Sequence, residues 1–174
     1  MLNLLRKSAA RKEFAARLEA QLVSRARAPV FFRSLNVPDT VDGRFDLVAL
    51  HGWLVLARLK ETGMEAAAQA LTDILFIGFD EALREQGVGD MGMGRRMKAF
   101  AGAFFGRLTA YSGAKDEAML AEALAKNVWR GAVIDDHARA LAAYVVSARA
   151  ALAAGDLANG DLDFGPLPVL KGGT

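Results

Sequence analysis

Residues 44–62, RFDLVALHGWLVLARLKET, are apolar on nearly every side when wound as a helix. Such a helix has no face suited to water, so the remainder of the chain must enclose it. Just upstream, Pro38, Asp39, Thr40 and Gly43 supply the turn and capping residues with which a buried helix starts. The polar residues of the run are ordered. Arg44, His51 and Arg58 recur every seven residues and drift little around the axis, which reads as one polar seam. Gly63 supplies a stop, and the next helix carries Asp73 and Asp80, again seven apart. An antiparallel hairpin turning near Gly63 would set His51 opposite Asp73 and Arg44 opposite Asp80, with charge-assisted contacts fixing its register.

Around this centre the chain of 174 residues, 53% apolar and with four prolines, reads as all-α: a single compact domain of about six helices. They run roughly over Asn3–Arg27, Arg44–Thr62, Met64–Gln86, Met93–Ser112, Lys115–Arg130 and Asp135–Ala154. Phe14, Leu18 and Leu22 form the apolar stripe of the first, with Arg25 a cation beside it. Ala28–Gly43 reads as an extended connection because Pro29 and Pro38 oppose helix. From Gly155 onward the Gly, Pro and Asp content reads as a flexible, loosely attached tail over 155–174.

Charge divides the chain unevenly. Residues 1–33 hold eight Lys/Arg against Glu13 and Glu19, whereas the remainder holds fourteen against eighteen acids. The reading is a basic helical arm over 1–33, with Arg6, Lys7, Arg11 and Lys12 seeking an anionic surface such as a membrane, followed by a helical domain over 34–154. The longest uncharged stretch, Leu47–Ala57, is too short to span a bilayer, and Met1–Lys7 has no apolar segment after it to make a secretory signal. The expected location is cytoplasmic, peripheral to a membrane.

Catalytic signatures do not assemble. There is no cysteine, no GxSxG, no HExxH and no Glu-x-x-His pair. Gly87, Gly89 and Gly92 satisfy GxGxxG, but the residues before them are helical rather than a strand, so they read as a helix stop and a bend. His51 reads as a hydrogen-bonded core residue and His137, after Asp135 and Asp136, as part of a helix cap. A metal site of Asp73, Asp80 and His51 is a minor reading, and no catalytic residue, metal or cofactor is assigned. Trp53, Trp129 and the Phe100, Phe104, Phe105 cluster are core candidates. No sequence-specific nucleic-acid signature is present. Arg95, Arg96 and Lys98 open the fourth helix, where cations oppose the macrodipole, and this points to a function for them.

Four blocks, VPDTVDGRFDLVALHGWLVLARL from Val37, GVGDMGMGRRMK from Gly87, AFFGRLTAY from Ala103 and ALAKNVWRG from Ala123, resemble the ubiquinol-cytochrome c chaperone family. The resemblance implies a non-enzymatic assembly factor for the cytochrome bc1 complex. Its implied partners are cytochrome b or another bc1 subunit and, by analogy with mitochondrial relatives, the ribosome. The client surface expected here combines Arg95, Arg96 and Lys98 with Asn127, Trp129 and Arg130 as a cationic rim about an apolar floor. A second reading is a helical protein holding a lipid or porphyrin between the second and fourth helices, with Arg44, Arg58 or Arg96 near an acidic group. It predicts a closed cavity, where a chaperone predicts an open groove.

Overall fold

The computed structural model describes residues 2–131 and 134–170. Its helices are α1 (Leu2–Ala26), α2 (Pro29–Arg33), α3 (Val41–Glu61), α4 (Glu65–Glu85), α5 (Asp90–Gly113), α6 (Glu117–Val128) and α7 (Asp136–Ala154), followed by a 3-10 turn at Leu157–Asn159. Six of the seven α-helices are those expected. The seventh, α2, lies in the connection read as extended: Pro29 occupies the first helical turn, where its missing N–H costs nothing, and the helix seats Phe31 in the core.

The all-round apolarity of α3 has the expected result. Fourteen of its residues are buried, from Gly43 to Leu59, and α1, α4, α5, α6 and α7 all contact it. Thr40 is its N-cap and accepts from the Gly43 amide at 3.2 Å, so the helix begins three residues before the position expected. Gly43 is required by space: a Cβ there would lie 1.9 Å from the Pro38 carbonyl oxygen. Gly63 and Gly87, both at positive φ, end α3 and α4 with paired carbonyl capping, Gly63 N to Lys60 O with Met64 N to Leu59 O, and Gly87 N to Arg84 O with Val88 N to Leu83 O. Asp116 and Asp135 cap α6 and α7 through their side chains.

The hairpin of α3 and α4 forms, but its polar register does not. On α4 the inward stripe is Ala67, Ala68, Leu71, Leu75, Phe79 and Leu83, which sends Asp73 and Asp80 to the far side. Asp73 accepts from Gln69, and Asp80 pairs with Arg84, each within its own helix. Arg44 pairs with Asp39 in solvent, and Arg58 reaches Glu61 and the Ala153 carbonyl. Only His51 of the three is buried. Heptad spacing fixes the azimuth on one helix, whereas the arginines stand near its ends, where the same azimuth takes Arg44 to water and leaves Arg58 partly covered beside the end of α7.

Two further expectations are overturned at the chain ends. The arm reading holds neither for the second half of α1, where Ala15, Leu18, Leu22 and Ala26 are fully buried against α3 and α4, nor for Phe31. Net charge summed over the segment hid this, because the cations occupy outward positions of a helix whose inner stripe is apolar. Residues 6–13 are exposed throughout. The C-terminal segment is no loose tail either: Leu157 and Phe164 are core residues, and Leu162 and Leu170 cover it. Residues 171–174 lie outside the described residues.

Across α3, α4 and α5, Phe45, Phe76, Phe79, Phe100 and Phe104 interlock mostly edge to face at centroid separations of 4.8–5.9 Å. Such pairs add about 0.5–1.5 kcal/mol each to area burial.

Gly43→Ala is expected to destabilise the protein by roughly 1–3 kcal/mol, because its methyl group overlaps a backbone oxygen that cannot rotate away. Thermal unfolding of the variant checks this; an unchanged midpoint would refute the steric role.

Candidate functional site

Enclosing α3 leaves two polar side chains without water, Asp46 and His51, and each is met by neighbouring helices. The Asp46 carboxylate accepts from Arg107 Nε of α5 at 2.8 Å through Oδ1 and from Arg130 Nη1, just beyond α6, at 2.7 Å through Oδ2. Burial pushes the Asp46 carboxyl above its ordinary value, and the two guanidiniums pull it back down. Arg107 also donates to the Ala103 carbonyl and lies 5.0 Å from the centre of the Phe45 ring. Arg130 reaches Asp46 from a left-handed backbone conformation, φ 57°, which carries a cost for a side chain with a Cβ.

His51 completes a chain of donors and acceptors. Its Nδ1–H donates to the Leu47 carbonyl at 2.7 Å, which leaves Nε2 to accept from the Tyr144 hydroxyl at 2.9 Å. The Tyr144 oxygen accepts in turn from Arg25 Nε at 3.0 Å. Every partner is consistent with neutral imidazole, and burial lowers the His51 pKa to about 4. With both ring nitrogens engaged and Asp73 and Asp80 on the outer side of α4, the minor metal reading is not assembled. His137 acts as expected in a cap, contacting Asp135 through Nδ1 and Asn36 through Nε2.

The surface offers something different. Between α4 and α5, over α3, lies a groove of about 770 Å³ lined by Trp53, Leu56, Ala68, Phe105 and Leu108, with Lys60, Glu65 and Gln69 among its polar lining residues. Trp53 is held in place by donating Nε1–H to Ser112 at 2.8 Å. Phe105 is 50% exposed and Ile77 is 58% exposed, large apolar side chains left in water along the same two helices. A second hollow of about 400 Å³ lies between α1, α3, α4 and α5, over Phe45, Val48, Phe79 and Phe100. Both hollows open to solvent. The second lies between the helices expected to hold a lipid or porphyrin, and Arg44, Glu19 and Glu85 also line it.

The six residues expected to form one client rim divide into two groups. Arg95, Arg96 and Lys98 are exposed near the start of α5, and among the described residues they enter no ion pair. Asp90 is engaged by Arg84 instead. Because α5 starts at Asp90, these cations sit beyond its first turn, and the macrodipole opposes them less than expected. Asn127, Trp129 and Arg130 have internal partners: Asn127 donates to Ala123, Trp129 Nε1–H lies within reach of the Leu35 and Asn36 carbonyls, and Arg130 holds Asp46. Arg107, beside Arg130, is eleven residues along α5 from Arg96, about 16 Å of helix. Asp46, Arg107 and Tyr144 carry no role in the sequence reading, and Arg25 figures there only as a cation beside the stripe of the first helix. The available signal is Asp46 itself, a carboxylate set among apolar residues, with the only other one of the run, Glu61, at its end.

The family described as ubiquinol-cytochrome C chaperone matches residues 33–159. The crystal structure of the Cbp3 homolog from Brucella abortus is similar over 95% of this chain and 96% of that one, with a TM-score of 0.82 and 35% sequence identity. No curated protein sequence matches the chain.

The His51 network sets a pH dependence. Between an unfolded value near 6.5 and the folded value of about 4, the unfolded chain binds a proton that folded His51 refuses. The His51 contribution is therefore complete above about pH 6.5 and is lost as pH falls toward 4, a change of roughly 3 kcal/mol. Urea unfolding at pH 7 and 4.5 should show a smaller acid loss in His51→Gln than in the parent; equal losses would exclude the linkage.

Proposed function

The chain belongs to the ubiquinol-cytochrome c chaperone family, and from that premise we propose that it receives an apolar segment of cytochrome b at the cytoplasmic face of the inner membrane and holds it for assembly into the bc1 complex. The role is that of a chaperone, with no chemical step. The observation that carries this reading is the family match over residues 33–159, which takes in the whole of α3 to α7. The open groove beside Phe105 agrees with it, since a segment awaiting insertion presents apolar side chains that such a floor can cover.

In this reading the free cations Arg95, Arg96 and Lys98 orient the client and speed its encounter, while the groove supplies affinity. Arg130 serves indirectly, by closing the end of α6 onto α3, and Trp129 by tying it to the Leu35 and Asn36 carbonyls, while Asn127 bonds within α6. Membrane attachment falls to the exposed first half of α1 with Arg6, Lys7, Arg11 and Lys12. Among the described residues no helix is long and apolar enough to cross a membrane. Attachment is accordingly peripheral and electrostatic, worth about 1 kcal/mol for each cation at an anionic surface.

Reversing Arg95 and Arg96 to Glu should lower the yield of assembled bc1 complex several-fold while the melting temperature changes by no more than about 2 °C, the range for exposed substitutions. Normal assembly at normal expression would exclude this surface. Replacing Arg6, Lys7, Arg11 and Lys12 by Gln should weaken binding to phosphatidylglycerol vesicles about tenfold or more at low salt, with the difference shrinking as salt rises. Vesicle binding that ignores both charge and salt would remove the arm from the reading.

A further inference from the structure

The C-terminal strap is held by α1 in a way that resembles recognition more than covering. Arg17, Gln21 and Arg25 stand one helical turn apart and face a strip of irregular chain. Gln21 reads the backbone of that strip twice: Nε2–H donates to the Gly160 carbonyl at 2.7 Å, and Oε1 accepts from the Leu162 amide at 2.9 Å. Arg25 Nη2 donates to the Gly165 carbonyl at 2.6 Å, and Arg17 Nη2 to the Asp161 carboxylate at 2.8 Å.

Between these contacts one side chain is swallowed. Phe164 is 5% exposed and meets the His51 ring edge to face at 5.4 Å, while the Arg25 guanidinium lies 5.9 Å from the Phe164 centroid. Glycines bracket the bound stretch, both at positive φ. A Cβ on Gly160 would stand 3.3 Å from the Phe14 ring, and one on Gly165 would stand 3.4 Å from Ala151 of α7. The neighbours in the strip, Asp161, Asp163, Pro166 and Leu167, remain exposed. Main-chain hydrogen bonds together with one aromatic anchor in a pocket are how extended peptides are recognised.

The geometry points to the cleft between α1 and α7 as a recognition site for an extended peptide of acidic, apolar, acidic, aromatic, glycine order, occupied in cis by residues 161–165 and opened to a partner segment of the same chemistry when the strap is displaced. Affinity comes from Gln21 and Arg25 on the backbone, which any sequence offers. Selectivity comes from the Phe164 slot, from Arg17 on the leading acid, and from the left-handed backbone at position 165, φ 66°, which favours glycine. The tether explains why the strap fills the site at rest: a covalently attached ligand acts at an effective concentration in about the millimolar range, which a free segment must exceed or bypass.

A protease site inserted between Ala154 and Gly155, in an exposed turn, makes the strap separable in the otherwise full chain. A fluorescent peptide spanning residues 159–168 should bind the cut protein about tenfold or more tighter than the uncut protein, and the same peptide with Phe164→Ala should lose that binding. Absence of peptide binding to the cut protein, or equal binding of the two peptides, overturns the proposal. So does loss of cooperative unfolding on cutting, which would show that the strap cannot leave its cleft without unfolding the domain. Hydrogen exchange on the uncut chain provides an independent reading: the Leu162 and Gly165 amides should exchange faster than the Leu50 amide of α3 through local opening, and exchange only at the rate of global unfolding refutes displacement.

Discussion

A helix enclosed on every side must find partners for its polar groups among the helices that enclose it. Here that condition falls on Asp46 and His51, five residues apart on α3 and both cut off from water. Asp46 draws in α5 through Arg107 and the end of α6 through Arg130. His51 draws in α7 through Tyr144 and, one step further, α1 through Arg25. Replacing such buried groups by apolar ones of the same shape is often neutral, but removing one partner of an ion pair costs about 3–5 kcal/mol because the other is stranded. The two nodes therefore act less as a source of stability than as a filter on how the helices can be arranged around α3.

The same constraint explains what was readable in the sequence. The central place of α3 follows from its apolarity, and the stops at Gly63 and Gly87 follow from conformations that only glycine adopts cheaply. Those are local facts, stated by the residues themselves. Which neighbour a polar residue meets is not local: Arg44 and His51 share an azimuth, yet one reaches solvent and the other Tyr144, because depth in the domain is set by elements a hundred residues away. Asp46 was overshadowed by a periodicity that did not include it. The tail was misread for a related reason, since its glycines and prolines describe irregular backbone, and irregular backbone can still be clasped by side chains from another helix.

For the candidate client surface the division is similar. Cations at Arg95, Arg96 and Lys98 could be recognised from their type and spacing, and among the described residues they enter no ion pair. The neighbouring block around Arg130 carried an equally conspicuous basic and aromatic pattern, but the Arg130 charge is spent inside the molecule on Asp46. A basic residue in sequence does not declare whether its counterion is internal. The groove beside Phe105 had no signature at all, because its lining comes from three helices, α3, α4 and α5, rather than from any single segment.

Arg25 links the two ends of the molecule, since one guanidinium touches Tyr144 and the Gly165 carbonyl, 119 and 140 residues later in the chain. During synthesis these partners leave the ribosome roughly 6 to 28 s after Arg25 does, at about 5–20 residues per second. Helix α1 can settle on α3 and α4 early, but its outer polar row stays unmatched until the final segment arrives. A protein of a chaperone family thus passes through an incomplete state of its own, and fusions or truncations at its C-terminus act on its N-terminal helix.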